Sequence, residues 1–467
     1  MTERKKSDIC IIGAGISGLT AGALLSKKGY TVKIFEKESM IGGRALSLNG
    51  DTLSLETYTK LLSHYQMNIP FSEPSVESIF DKKMLKGYTL DLGFHAIGGG
   101  AVSILRSVLA KFDEHVEMLE SNTGFIKENG FDIPFLSRSD KIRLLPHILR
   151  LLLSGESTME KLDNVPMTKT IEKYGKGKMK ITLEVFSRAV STVNDLSRIS
   201  TGEMFRAQKI LVKGSKPVGY PKNGLQSISQ TLADIIQRNG GDVCLNSPVS
   251  KIIIDKKEAT GVIVHNEEYS CKTVVSTKLV QHLFTISDEK QFPAKYVQYV
   301  KTLKGTGGLC AYYSLDRINP QLLGKTFLFI ERDVGIEGND AVGMIDFMTA
   351  LPQSGLAPPS HHLIQAYIIC TPVEARNKKI LEKLKELLDK NLKRLMPDCF
   401  SHLRWALYPA VWHLDGVAKT INDIKPDIRT PIKNLYLIGD CVKAPGIGMN
   451  CAINSAIMLE DILQSDS

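Results

Sequence analysis

The sequence predicts an α/β protein in which a largely parallel sheet is assembled from separate parts of the chain and interleaved with an α+β unit. Three observations predict it. The apolar strand Ile9-Cys10-Ile11-Ile12 runs directly into three spaced glycines and a helix. A second apolar strand follows and ends at an acid, Glu36. The segment from Asn434 to Leu463 then repeats the pattern of strand, glycines and helix at the far end of the chain.

The first strand is short and rich in β-branched residues, as expected of a parallel strand covered on both faces. Gly13 permits the tight turn, Gly15 lets backbone approach a pyrophosphate, and Gly18 lets the next helix lie close on the strand. That helix, roughly 15–28, begins with Ile16 and Ser17 and aims its unpaired N–H groups at the phosphates. The strand Thr31 to Phe35 delivers Glu36, with Lys37 beside it, to the place of the ribose hydroxyls of an adenosine. A glycine triplet alone is weak evidence; between strand and helix, with an acid about 20 residues on, it specifies a Rossmann-like dinucleotide site.

Gly42-Gly43-Arg44 follows, and a guanidinium fork suits phosphate oxygens. With these residues the chain resembles the FAD-dependent family of phytoene desaturases and other carotenoid oxidoreductases, protoporphyrinogen oxidases, amine oxidases and retinol saturases. The resemblance implies a GR2-type FAD-binding domain, with Gly42, Gly43 and Arg44 at the pyrophosphate. The competing reading is an NAD-binding Rossmann unit with an incidental Gly-Gly-Arg.

At 467 residues the chain exceeds one ordinary core and predicts two or three domains. With 43% hydrophobic and 23% charged residues it is an ordinary globular composition, which excludes a disordered or fibrous protein. The net charge of +9 permits attraction to an acidic partner or an anionic membrane face. The lysine-rich run from Lys169 to Lys180 is expected to be a solvated loop, and no nucleic-acid module accompanies it. Eight cysteines without Cys-x-x-Cys spacing suit a reducing, cytoplasmic setting. Cys399, His402 and the pair His361-His362 lack partners at ligand spacing, so no metal is expected. No apolar run approaches the length of about 20 needed to cross a bilayer, and any membrane contact is expected to be peripheral.

The expected nucleotide-binding domain is discontinuous, taking 1–100, 219–278 and 405–467; the substrate domain takes 101–218 and 279–404. Between Arg44 and the strand around Tyr88 to Gly93, residues 46–86 are longer than the family pattern, with a short helix around TYTKLLSHY and a Pro-containing stretch, IPFSEPS. From Ala101 to Val218 the signals are mainly helical. Within them KIRLLPHILRLLL, Lys141 to Leu153, has the composition of a helix resting at a membrane interface. The reading favours a buried helix kinked at Pro146, because such helices are commoner. Gly219 to Gly224 resembles the family's Tyr-Pro-x-Gly-Gly turn, with Asn223 in place of the first glycine; Asn tolerates left-handed backbone angles. Two strands follow, and by resemblance Val249 meets the adenine side of FAD. Farther on, a helix from Pro372 to Leu395 sets Ile380, Leu384, Leu387, Leu388 and Leu392 on one face and its lysines outward.

The final block places Gly439 and Asp440 after a buried strand, then Gly446, Gly448 and Met449 at the start of a long helix. The resemblance implies Asp440 on the ribityl chain and the helix N-terminus at the N1–O2 edge of the flavin. Such a dipole stabilises the negative charge that two-electron reduction leaves there. Cys441 is read as a packing residue, and FAD as non-covalent.

Asp91 to Gly98 (DLGFHAIG) resembles the Asp-x-Gly-x-His-x-x-Gly pattern of retinol saturases and some carotene desaturases. The turn after Asp440 lacks the aromatic residues of amine oxidases. The expected function is therefore hydride transfer between an apolar isoprenoid or carotenoid-type substrate and flavin N5, as desaturation or saturation in reverse. His95 is the first candidate proton acceptor. Tyr408, Trp412 and His413 either line the cavity or pack the core. No second Gly-x-Gly-x-x-Gly follows a suitable strand, so a quinone, dioxygen or another diffusible acceptor, or an unidentified donor, is expected to exchange the electrons. Two alternatives stand beside this: an amine or protoporphyrinogen oxidase, and a non-catalytic prenyl-protein escort of the GDP-dissociation-inhibitor type.

Overall fold

Ile9, Cys10 and Ile11 are fully buried because their strand lies inside a sheet, with neighbours on both sides. The computed structural model describes residues 6–93, 96–418, 420–421 and 424–466, apart from the side chains of 141, 143, 144, 147, 148 and 151. His95 lies outside the described residues.

Strand Lys6–Ile12 pairs in parallel with Val32–Phe35 on one side and with Glu267–Ser276 on the other. Asp242–Cys244 extends the first edge. Glu258–Val264 and Val249–Asp255 form an antiparallel extension beyond Glu267–Ser276. The C-terminal strand Leu435–Leu437 pairs in parallel with the end of Glu267–Ser276, where the antiparallel neighbour has already turned away. Helices Ile16–Lys27, Gln226–Arg238 and Gly448–Ser465 pack on this sheet, and the first touches both of the others. Parts from the start, middle and end of the sequence thus share one core.

The larger sheet has eight strands, with Gly307–Leu315 between His362–Cys370 and Leu403–Val411. Its side chains alternate between two cores: Leu309, Ala311 and Tyr313 face one, Cys310 and Tyr312 the other, the period of two expected of a pleated strand. Helix Lys378–Leu395 covers the first face through Leu381, Leu384, Leu388 and Leu392. It starts later than the sequence suggests, at an Asn377 side chain that accepts from the N–H groups of Lys379 and Ile380, a favoured N-cap.

Two segments differ from the expected organisation. The Pro-containing stretch of the 46–86 segment is a strand, Met67–Glu73, paired with Leu403–Val411 at the edge of the larger sheet. Pro70 is tolerated there because an edge strand leaves one row of backbone groups unpaired. Strand Met67–Glu73, and Leu403–Val411 from residue 405 on, fall within the stretches expected to bind nucleotide, yet they belong to the larger sheet. The second difference concerns helix Arg138–Leu153, which contains Pro146. Sequence patterning favours its burial, but Ile142 is 71% and Leu153 86% exposed, and Leu145 and Leu149 are half exposed. Positions 142, 145, 149 and 153 form a single stripe, and it faces outward.

Asn223 adopts φ +64° at the turn before helix Gln226–Arg238, the left-handed angle that Asn tolerates.

Candidate functional site

The turn after the first strand is held together by close approach. A Cβ at Gly18 would lie 2.1 Å from the carbonyl oxygen of Gly13, so only glycine lets the helix come this near. Gly15 differs: its φ of −77° is ordinary and nothing lies within 4 Å of where its Cβ would be. Among the described residues the protein's own packing does not require glycine there. Among the described residues no side chain caps helix Ile16–Lys27, which leaves its first N–H groups open to a ligand.

At the end of the second strand Glu36 is buried. Its Oε2 accepts from Ala14 N at 2.7 Å and its Oε1 from Glu38 N at 3.0 Å. Burial nonetheless raises its pKa, outweighing those bonds. Gly42 bridges to Gly15, which brings the Gly42-Gly43-Arg44 turn against the phosphate turn. Arg44 Nη2 then reaches Asp440 Oδ1 at 2.6 Å, and its Nη1 donates to the carbonyl of His413 at 3.1 Å. Asp440 Oδ2 accepts from Gly416 N at 2.9 Å. Burial works to raise the Asp440 pKa, but the charges of Arg44 and Lys425 overcome it and hold the carboxyl well below the usual range.

These residues surround a cavity of about 390 Å³. Its wall includes Gly13, Gly15, Ile16, Ser17, Glu36, Lys37, Gly42, Gly43, Arg44, Val249, Gly439, Asp440, Gly448 and Met449. Gly18 lies behind it, at the helix–strand contact. His64, Tyr65, Gln66, Lys278 and His282 also line it, and sequence reasoning did not find them. They come from the end of helix Leu55–His64 and from the loop after Glu267–Ser276, segments without a motif. Burial and the neighbouring Lys37 lower the pKa of Lys278, which makes no ion pair among the described residues. An anionic ligand would relieve both effects.

A second cavity, about 180 Å³, adjoins the first and shares Leu414, Gly448 and Met449 with it. Its walls are mainly apolar: Phe186, Ala189 and Val190 from one helix, Ala207, Ile210 and Leu211 from another, and Leu328 and Met344 from the larger sheet. The N-terminus of helix Gly448–Ser465 therefore stands between a cavity that carries the charged groups Glu36, Lys37, Arg44, Lys278 and Asp440 and a greasier one.

Tyr408 and Trp412 line neither cavity. Tyr408 donates to Asp389 at 2.8 Å inside the core of the larger sheet, and Trp412 Nε1 donates to Ala375 O under the guanidinium of Arg376. The His413 ring lies 6.1 Å from that of His282, and burial with the nearby Arg44 pushes it down to about 4. Cys441 is buried, which pushes its thiol up to about 12, away from the reactive thiolate.

Comparison with known proteins agrees with this geometry. The family described as flavin containing amine oxidoreductase matches residues 16–458. The chain is 24% identical to a 1-hydroxycarotenoid 3,4-desaturase of Flavobacterium sp. (strain P99-3), over 97% of this chain and 98% of that one. It is 22% identical to an inactive all-trans-retinol 13,14-reductase of Danio rerio, over 64% of this chain but only 52% of the relative. A crystal structure of an oxidoreductase from Methanosarcina mazei superposes with a TM-score of 0.73 over 97% of this chain and all of that one, at 22% identity.

Proposed function

The chain belongs to the flavin containing amine oxidoreductase family, with FAD as its cofactor, and from that premise we propose that it transfers hydride between FAD and an apolar isoprenoid or carotenoid-type substrate. One observation carries the reading: the mainly apolar cavity meets the nucleotide cavity at Leu414, Gly448 and Met449.

The residues fit the cofactor. Gly15 leaves open space that would take a pyrophosphate, Gly13 and Gly18 shape the turn, and the first N–H groups beyond Ile16 and Ser17 would bind the phosphates. Arg44, Lys37 and the unpaired Lys278 supply positive charge. Glu36 keeps lone pairs that would hold the ribose, Val249 would meet the adenine side, and Asp440, ionised, would accept from ribityl hydroxyls. The N-terminus at Gly448 and Met449 favours negative charge on the ring. When bound, the flavin supplies the hydride acceptor or donor at N5.

The chain's own contribution to the chemistry is to orient the substrate and exclude water, through the apolar walls from Phe186 to Leu211. His95 is the proposed proton acceptor, on the Asp-x-Gly-x-His-x-x-Gly pattern of residues 91–98; His95→Ala should abolish turnover while FAD is retained. In the desaturating direction a quinone, dioxygen or another diffusible acceptor would take the electrons; in the saturating direction a donor would supply them.

The substrate class suggests where the protein works. Among the described residues no helix is long and apolar enough to cross a membrane. Residues 138–216 carry sixteen Lys and Arg against eight Asp and Glu, so this part supplies +8 of the chain's +9. The stripe of Ile142, Leu145, Leu149 and Leu153 is exposed on the same part, and helix Arg138–Leu153 packs on helix Thr201–Lys213, a wall of the apolar cavity. An apolar stripe among basic residues suits the surface of an anionic bilayer. Sedimentation with phosphatidylglycerol vesicles but not phosphatidylcholine ones, lost on Leu145→Asn with Leu149→Asn, is the expected result; no sedimentation of the unaltered protein would refute the membrane contact.

Anaerobic mixing of the yellow protein with a panel of isoprenoids tests the reaction. Bleaching of the flavin with a product two hydrogens poorer, or reoxidation of reduced flavin with a product two hydrogens richer, supports it. Peroxide formation on amines with no response to isoprenoids would reverse it.

A further inference from the structure

Lys425 has no role in the mechanism above, yet it is a lysine only 8% exposed at the heart of the site. Its ammonium donates to the carbonyl of Asp440 and lies 3.8 Å from Asp415 Oδ2. Asp440 spends one carboxylate oxygen on Arg44 and the other on Gly416 N. The segment 414–416 is fixed in turn: Asp415 N donates to Thr306 Oγ1, and Gln281 Nε2 donates to Gly416 O. Gly416 is required, since a Cβ there would lie 2.8 Å from Asp440 Oδ1.

Two cations, Arg44 and Lys425, and two acids, Asp415 and Asp440, thus meet in the wall between the cavities. Arg44 and Asp440 face the nucleotide cavity, and Asp415 belongs to the wall of the apolar one. Among the described residues the thiols of Cys441 and Cys451 also act on Lys425, and the neutral ring of His413 is near Arg44. Both acids are almost wholly buried, where an uncompensated carboxylate is costly.

Arg44 faces two demands, Asp440 and the diphosphate. Were it the only counter-charge, drawing it towards phosphate would strip Asp440 in a low-dielectric wall. We propose that Lys425 is a positioning residue of the cofactor site: it neutralises the Asp415–Asp440 pair from behind, so that Arg44 can give its charge to the diphosphate while Asp440 stays an ionised acceptor. This rests on the FAD reading of the site.

The test is FAD affinity of the full-length apoprotein, by flavin fluorescence titration at about pH 6 and about pH 8, with thermal melting of each variant. Lys425→Met leaves one carboxylate uncompensated; affinity should fall about tenfold or more at the higher pH and recover partly at the lower, where the pair takes up a proton. Lys425→Arg should bind nearly as the unaltered protein does. Lys425→Met with Asp415→Asn removes one charge of each sign and should return affinity to within about threefold, a rescue that a merely structural lysine would not show. Equal affinity of Lys425→Met and the unaltered protein at both pH values would overturn the proposal. So would a double variant that folds but binds as weakly as the single one. If Lys425→Met fails to fold, Lys425→Arg and the double variant decide alone. If the unaltered protein takes up no FAD, the functional reading itself fails and this inference falls with it.

Discussion

Arg44 and Asp440 stand 396 residues apart in sequence and 2.6 Å apart in space, Nη2 to Oδ1, on the wall of one cavity. The contact ties the turn after the second strand to the turn after the last, and it exists only when the C-terminal strand Leu435–Leu437 has docked beside Glu267–Ser276. Arg44→Met leaves Asp440 with Lys425 alone. The expected cost is about 2–4 kcal/mol of stability, read by denaturant unfolding of the apoprotein, with a fall in FAD affinity of about a hundredfold, since the phosphate fork goes too. A variant that binds FAD normally would remove Arg44 from the site.

Two glycines of one motif should respond oppositely to substitution. Gly15 has room for a side chain in the protein alone. Gly15→Val should therefore leave the melting temperature of the apoprotein near that of the parent and abolish FAD binding. Gly18→Ala drives a Cβ into the carbonyl of Gly13. It should lower the melting temperature itself, by about 2 °C for a loss of about 2 kcal/mol. Equal behaviour of the two would contradict the division between a ligand-facing and a packing-facing glycine.

That division also marks what was legible in the sequence. Gly13, Gly18 and Arg44 carry their reasons locally, in spacing and side-chain chemistry. The same holds for Asn223, whose left-handed angle its residue type announces. Lys278, His282 and Tyr65 reach the cavity through loops whose course is set by tertiary packing, so no local pattern reports them. Helix Arg138–Leu153 defeats sequence patterning for a related reason: an apolar stripe looks alike whether its partner is a protein core or something outside the chain. Strand Met67–Glu73 is hidden by Pro70, which argues against a strand unless the strand is known to be at an edge.

Asp346 makes stability depend on pH. It is fully buried, and burial pushes its pKa up to about 7, although Oδ1 accepts from Thr326 Oγ1 and Met348 N. Its folded pKa thus lies above its unfolded one, so its contribution is fully present below about pH 4 and is lost as pH rises through about 7. Asp91, pushed up to about 6 by burial, acts in the same sense. The amide introduced by Asp346→Asn cannot ionise. The stability of that variant relative to the parent should therefore climb by on the order of 3 kcal/mol between about pH 4 and pH 8. Urea unfolding at a series of pH values checks this, and a difference that stays flat would mean Asp346 is ionised without penalty.

Filling the apolar cavity should separate cofactor from substrate. Ala189 lines the apolar cavity and not the nucleotide one, and it sits on helix Lys178–Ser191, away from the phosphate turn. Ala189→Trp adds a large side chain to a space of about 180 Å³. FAD affinity and the absorbance of the bound flavin should be unchanged, because Ala189 has no place in the wall of the nucleotide cavity. Anaerobic bleaching by an isoprenoid that reduces the parent should be lost, whereas a change confined to overpacking strain would lower the melting temperature, typically by the equivalent of about 1–3 kcal/mol, and leave bleaching in place. Bleaching at the parent's rate in a folded variant would place the substrate elsewhere and sever the apolar cavity from the reaction.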